Sequence, residues 1–186
     1  MRSNRLAAAA GVLGPGFFVT MWATLGATRP GYSAVEDAIS QLARIATSTR
    51  PAMTVGFVGY GLALCGFAAA DAPLPRTSRV LVAGTGVATL GVAAFPLGGV
   101  SDTVHAGFAG IGYATLAAAP LFAARSFARC GRRRWARYSV SAGAVCAICL
   151  IASLAGPAHG LLQRAGLTVG DAWIVASACR AWASST

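Results

Sequence analysis

Lysine is missing from this 186-residue sequence, so its net charge of +10 rests on 15 arginines set against five acids. Those acids are Glu36, Asp37, Asp71, Asp102 and Asp171, and histidine occurs only as His105 and His159. Charged residues make up 11% of the chain, less than half of the roughly 25% that soluble domains carry. An ordinary water-facing surface is thereby excluded. The histidines show no H-x-x-x-H or H-E-x-x-H spacing and there is no aspartate-rich diphosphate motif, so no metal and no cofactor are expected. None of the five cysteines falls in a segment assigned below to the outer side, which argues against a disulfide. Cys146-x-x-Cys149 lies in an apolar run without a neighbouring histidine or acid, and reads as two small buried hydrophobes.

What the sequence has instead is apolar length. Hydrophobic residues make up 56% of the chain and its mean hydropathy is +0.64. A membrane-spanning helix needs about 20 mostly apolar residues. Leu6–Ala27, Pro51–Ala70, Val80–Gly99, Val104–Ala124 and Tyr138–Gly156 meet that need, and Gly160–Ala183 is a sixth candidate interrupted by Arg164 and Asp171. The predicted fold is an all-α bundle of six transmembrane helices forming a single integral membrane domain, 1–186. Arginine placement gives its orientation. With the N-terminus inside, eleven arginines face the cytoplasm: Arg2, Arg5, Arg76, Arg79, Arg125, Arg129, Arg132, Arg133, Arg134, Arg137 and Arg180. Only four, Arg29, Arg44, Arg50 and Arg164, lie outside. Both termini are therefore expected in the cytoplasm, in a multi-pass protein of the cytoplasmic membrane. Arg2 and Arg5 ahead of an apolar stretch also fit a leader peptide, but this stretch is longer than a usual leader core and is read as a span.

Two connections are long. Thr28–Arg50, outside, reads as a loop followed by a short amphipathic helix, with Asp37, Ser40, Gln41 and Arg44 on one face. Arg125–Arg137, inside, reads as a basic clamp on anionic lipid headgroups. Membrane lipids are expected partners and nucleic acid is not, because no arginine run is interleaved with aromatics on a soluble module. Gly56-Phe57-x-Gly59-x-Gly61 in the second helix recurs as Gly107-Phe108-x-Gly110-x-Gly112 in the fourth. No strand precedes either copy, so these are small residues for close helix packing rather than a nucleotide fingerprint.

The scarce ionisable groups cluster on the outer side, and they define the candidate site. Glu36, Asp37, Asp102, His105, His159, Gln163, Arg164 and Asp171 all belong to the outer half. Each has a plain structural reading: Asp102 or Ser101 as a helix cap, His159 as a turn residue, Glu36 and Asp37 as solvated loop acids. Arg164, Thr168 and Asp171 are sharper, since i, i+4 and i+7 form one helical stripe. Two turns set Asp171 about 10 Å deeper than Arg164. An acid inside a membrane is costly, faces the bundle interior and is a functional candidate, with an Asp171–Arg164 tie as its structural alternative. The catalytic candidates are Asp171, Asp37, Glu36, Asp102 and His105; the substrate-binding candidates are Tyr32, Ser40, Arg164, Trp22, Phe57, Tyr60, Tyr113 and Trp173.

Several short motifs carry a resemblance. They are Pro30-x-Tyr32, Asp37-x-Ile39-Ser40-x-Leu42, Met53-x-x-Gly56-Phe57, Phe95-Pro96, His105 opening the fourth helix, and Gly160-Leu161-x-Gln163-Arg164 opening the last. In their order they resemble a family of small bacterial and archaeal six-helix membrane proteins with no assigned function. That resemblance implies the six-span fold and marks Asp37, Ser40, His105 and Arg164; it supplies no reaction. In size and topology the chain is also similar to the small membrane-bound terpene cyclases of actinobacteria. The function expected on that footing is a membrane enzyme acting on a hydrophobic, isoprenoid small molecule by proton-initiated, non-oxidative cyclisation, with Asp171 as acid. Phe17, Phe18, Trp22, Phe57, Tyr60, Tyr113 and Trp173 offer aromatic faces for carbocations. The alternatives are a lipid or amide hydrolase built on Asp102, His105, His159 and Asp171, and a non-enzymatic binding or transport protein.

Overall fold

The structure, a computed structural model, describes residues 2–70 and 74–183, and the side chains from Arg5 onward. Asp71 lies outside the described residues. Among the described residues six α-helices follow one another: α1 (Arg2–Thr28), α2 (Arg50–Ala69), α3 (Arg76–Ala94), α4 (Asp102–Arg129), α5 (Arg133–Ala152) and α6 (His159–Ala183). Each packs against its predecessor and α6 closes onto α1, which makes a ring with an interior.

The sequence explains where the helices stop. α3 ends at Ala94 and not at the expected Gly99, because Pro96 disfavours helical backbone at Phe95 before it. The basic clamp is not a loop: Arg125 and Arg129 belong to α4, and Arg133, Arg134 and Arg137 to α5. Only Cys130–Arg132 turns the chain, with Gly131 at φ +70° in the left-handed region glycine tolerates.

The expected outer amphipathic helix is likewise a correction. Residues 39–43 form a single 3-10 turn whose Ile39, Leu42 and Ala43 are buried against the bundle rather than lying on a surface. Local bonds explain why no α-helix propagates there. Ser33 N–H donates to the Asp37 carboxylate at 2.8 Å, and the Thr49 hydroxyl donates to the Leu42 carbonyl at 2.7 Å. Such side-chain bonds offer the backbone an alternative to helix.

Packing inside the ring depends on small residues. A β-carbon on Gly61 would come within 2.8 Å of the Gly86 carbonyl, and one on Gly86 within 2.7 Å of the Gly61 carbonyl, so α2 and α3 cross backbone to backbone. The two glycine motifs differ in use, since Gly107 and Gly110 of the second copy face open space. Polar bonds tie the helices across the interior: Ser78 Oγ to the Ala119 carbonyl, Thr85 to Thr115 and Trp173 Nε1 to Ser139 Oγ, each at 2.9 Å. The outside is apolar, with Leu13 68% and Ile148 66% exposed. Among the described residues five helices, α1 to α5, are long and apolar enough to cross a membrane. The chain is a multi-pass, all-α membrane protein that contacts lipid.

Candidate functional site

A cavity opens inside the ring, beneath the segment joining α1 to α2. It encloses about 520 Å³ free of atoms, open mouth included, walled by Phe18 of α1, Phe57 and Tyr60 of α2, Thr85, Thr89 and Val92 of α3, and His105, Phe108 and Tyr113 of α4. Gln163 and Leu167 of α6 complete the wall, and Ile39 and Ser40 reach in from the overlying 3-10 turn. Phe18 stacks on Tyr60 with ring centroids 4.6 Å apart.

The polar groups of this wall are fixed in orientation. The Tyr60 hydroxyl donates to Asp171 Oδ1 at 2.5 Å, while Asp171 Oδ2 is buried with no hydrogen-bond partner among the described residues. His105, 4% exposed, places Nδ1 at 2.7 Å from the Phe95 carbonyl. A carbonyl only accepts, so Nδ1 carries the hydrogen and the neutral ring keeps its basic lone pair on Nε2.

The segment over the cavity is latched to α6. Gln163 works in two directions: its Oε1 accepts from Ile39 N–H at 2.8 Å and its Nε2 donates to the Tyr113 hydroxyl. Arg164, 6% exposed, donates from Nη1 to the carbonyls of Ala34 (2.7 Å), Asp37 (2.9 Å) and Gly160 (2.8 Å), and from Nη2 to the Tyr32 hydroxyl. The rings of Trp22 and Tyr32 each lie 5.4 Å from its guanidinium carbon. Burial pushes the Tyr32 hydroxyl above its ordinary pKa, against the opposing pull of Arg164, so Tyr32 stays neutral.

Residues 12–180 match the family described as protein of unknown function, DUF998. The chain belongs to DUF998. Neither a curated protein nor a solved structure matches it. In this DUF998 chain the motifs behind the six-helix resemblance gather at one end of the ring. Tyr32, Asp37, Ile39 and Leu42 build the lid, Gly160, Gln163 and Arg164 latch it, and His105 and the Phe95 carbonyl stand together at its rim.

The expected site residues divide accordingly. Ser40, Phe57, Tyr60, His105 and Tyr113 line the cavity, and Asp171 stands behind Tyr60. Tyr32, Trp22 and Arg164 form the latch. Asp37 is not in the wall; its carboxylate closes the lid on itself through Ser33. Glu36 is exposed. Asp102 is exposed too, and accepts from Gly98 N–H (2.8 Å) and Gly99 N–H (3.3 Å), stapling the α3–α4 turn. Trp173 is fully buried against Ser139 in the ring wall. The Asp171–Arg164 tie does not form, since each has its own partners at its own depth. Among the described residues no three of His, Cys, Asp and Glu converge as a metal site, so Asp102, His105, His159 and Asp171 are not one cluster. Phe108, Thr85 and Thr89 also line the cavity beyond the expected residues, and for Phe108 the phenylalanine shared by the two glycine motifs is a sequence signal.

Gly160 permits the latch. A β-carbon there would sit 2.4 Å from the Asp37 carbonyl oxygen and 2.9 Å from Arg164 Nη1. Gly160→Ala should lower stability by about 1–3 kcal/mol, the usual cost of overpacking. Gly107→Ala, which meets nothing within 4 Å, should be neutral or slightly stabilising. Thermal unfolding in detergent checks both, and equal midpoints for the two variants would contradict the lid contact.

Proposed function

We propose that this DUF998 protein is an integral membrane enzyme that cyclises or isomerises a lipid-soluble isoprenoid by adding a proton at one carbon and removing one at another. The observation that carries this reading is the buried Asp171 carboxyl behind the Tyr60 hydroxyl of a cavity whose wall also holds Phe18, Phe57, Phe108 and Tyr113. An ionisable group in such a place is costly, and groups of that kind inside membrane bundles are kept for function. Protonated Asp171 gives its proton to the Tyr60 oxygen, reversing the direction of the resting Tyr60–Asp171 bond, as Tyr60 turns and gives its own to a substrate double bond. The π electrons form the new C–H bond and leave a carbocation. A second double bond attacks that cation to close a ring, and His105 Nε2 then takes a proton from the neighbouring carbon. Solvent removes the proton from His105 and returns one to Asp171. Electrons balance without an oxidant or reductant, and no cofactor is consumed. The faces of Phe18, Phe57 and Phe108 suit a travelling positive charge.

The test is to incubate the purified protein with linear prenyl alcohols of increasing length in D2O. Products of unchanged formula carrying a solvent deuteron on carbon are expected. Tight retention of unconverted lipid across the whole series, with no deuteron uptake, would leave a binding or transport protein and end the enzymatic reading.

The proposed placement is six crossings of the cytoplasmic membrane with both termini inside. Supporting it are the eleven-to-four division of arginines between the two ends and the position of the polar residues of α6. Gln163, Arg164 and Asp171 are 8%, 6% and 3% exposed, so they face the ring while Leu161 faces outward at 52%. Cys130, exposed in the α4–α5 turn, is a native reporter. With Cys179 replaced by serine, an impermeant maleimide should label Cys130 only after cells are opened, whereas Thr103→Cys should label in intact cells. The reverse pattern would invert the topology.

A further inference from the structure

A second depression runs down the outside of the ring along the seam between α4 and α5. Its outer stretch is walled by Tyr113, Ala114, Ala118 and Ile151, and its inner stretch ends at Arg125 and Arg137. Leu121 walls both stretches, so the two adjoin along the seam. Among the described residues no acid lines either part, and Ser141 adds a hydroxyl beside the two arginines. The Arg125 guanidinium lies 5.7 Å from the centre of the Phe122 ring, which braces it at the seam.

Length and charge together select an occupant. From Arg125 to Tyr113 is three and a third helical turns, about 18 Å at a rise of roughly 1.5 Å per residue. That is slightly more than half of a hydrocarbon core about 30 Å thick, the depth of one leaflet. A purely apolar groove would accept any chain, but two cations at its interfacial end select an anionic head, and guanidinium groups suit phosphate oxygens in particular. We propose that the α4–α5 groove binds one anionic phospholipid of the arginine-rich leaflet, its phosphate between Arg125 and Arg137 and one acyl chain laid along the seam to Tyr113.

The site is independent of any reaction in the central cavity, yet the two share a wall. Tyr113 lines both, and its hydroxyl accepts from the Gln163 that holds the lid. The chain tip thus abuts the outer side of a residue on which lid closure depends.

The full-length protein, delipidated in detergent, is titrated with phosphatidylglycerol or with phosphatidylcholine of the same chains, read by native mass spectrometry and thermal shift. One phosphatidylglycerol should be retained per chain and should raise the melting temperature, with phosphatidylcholine at least tenfold weaker. Arg125→Gln with Arg137→Gln should weaken phosphatidylglycerol at least tenfold, near the weight of about 1 kcal/mol per interfacial arginine. Arg134→Gln, a charge loss outside the groove, should leave binding within twofold. Ala114→Trp, which fills the groove without changing charge, should weaken both lipids. Equal losses from Arg134→Gln and from the double variant would show diffuse attraction to a basic surface and overturn the site. So would unchanged binding in Ala114→Trp, or equal affinity for the two lipids.

Discussion

Asp171→Asn should yield a folded protein that has lost at least a hundredfold in turnover, and Tyr60→Phe should do the same. The size follows from the usual weight of general acid catalysis, about a hundred- to ten-thousandfold. The asparagine amide is nearly isosteric, and its oxygen can still accept the Tyr60 hydrogen bond now made to Asp171 Oδ1. It cannot supply a proton at working pH, so the relay stops at its source while the packing persists. Tyr60→Phe stops the relay at its other end and also strips Asp171 Oδ1 of its donor. A stability loss of about 1–3 kcal/mol should therefore accompany it. Asp171→Glu keeps the acid but displaces it, and a misplacement near 1 Å costs about a hundredfold. A purely structural pair would behave differently: Asp171→Asn and Asp171→Glu would lower the melting temperature before they touched turnover. Near-normal turnover in well-folded Asp171→Asn would remove Asp171 from the mechanism.

Much of this arrangement is legible in the sequence, and its gaps have physical causes. Helix positions follow from apolar length, and hydropathy alone recovers α1 to α5. α6 escapes that measure because its polar residues point inward, which a linear average does not register. Spacing places Arg164 and Asp171 on one stripe, but spacing describes a single helix and says nothing of what its neighbours offer at each depth. At the rim α6 meets a loop that offers carbonyls, and Arg164 takes two of them together with the Gly160 carbonyl of its own helix. Two turns deeper it meets α2, and Asp171 takes Tyr60. Trp173 fails as a cavity residue for the same reason, since two residues along the helix the facing partner is Ser139 of α5. The lid departs from the expected helix although the period of residues 37–44 fits an amphipathic one. The Asp37 and Thr49 side-chain bonds that decide against one are local, but a period of apolar and polar residues does not register them.

Arg164→Met should lower the melting temperature by about 6–12 °C and open the lid. Arg164 ties three backbone carbonyls and one hydroxyl from two separate segments to a single planar group. Hydrogen bonds to a charged donor each contribute about 1.5–3 kcal/mol. They act as one unit, so the cost of losing them together is not their sum. A net loss on the order of 3 kcal/mol is the sensible figure, and in a chain of this size about 2–4 °C accompanies each kcal/mol. Methionine fills similar volume between Trp22 and Tyr32, so the loss is of hydrogen bonds and of the cation facing two rings rather than of packing. Arg164→Lys tests geometry against charge. An ammonium is a point donor on a flexible stem and lacks the fixed fork that reaches Tyr32 and the Ala34 and Asp37 carbonyls together. It should recover less than half of the lost stability. Lid opening is read separately, as faster limited proteolysis between Pro30 and Thr49 and as maleimide access to Ser40→Cys. If Arg164→Met melts with the wild type, or melts early while the lid stays protected, then Gln163 and the buried Ile39 and Leu42 hold the lid without it.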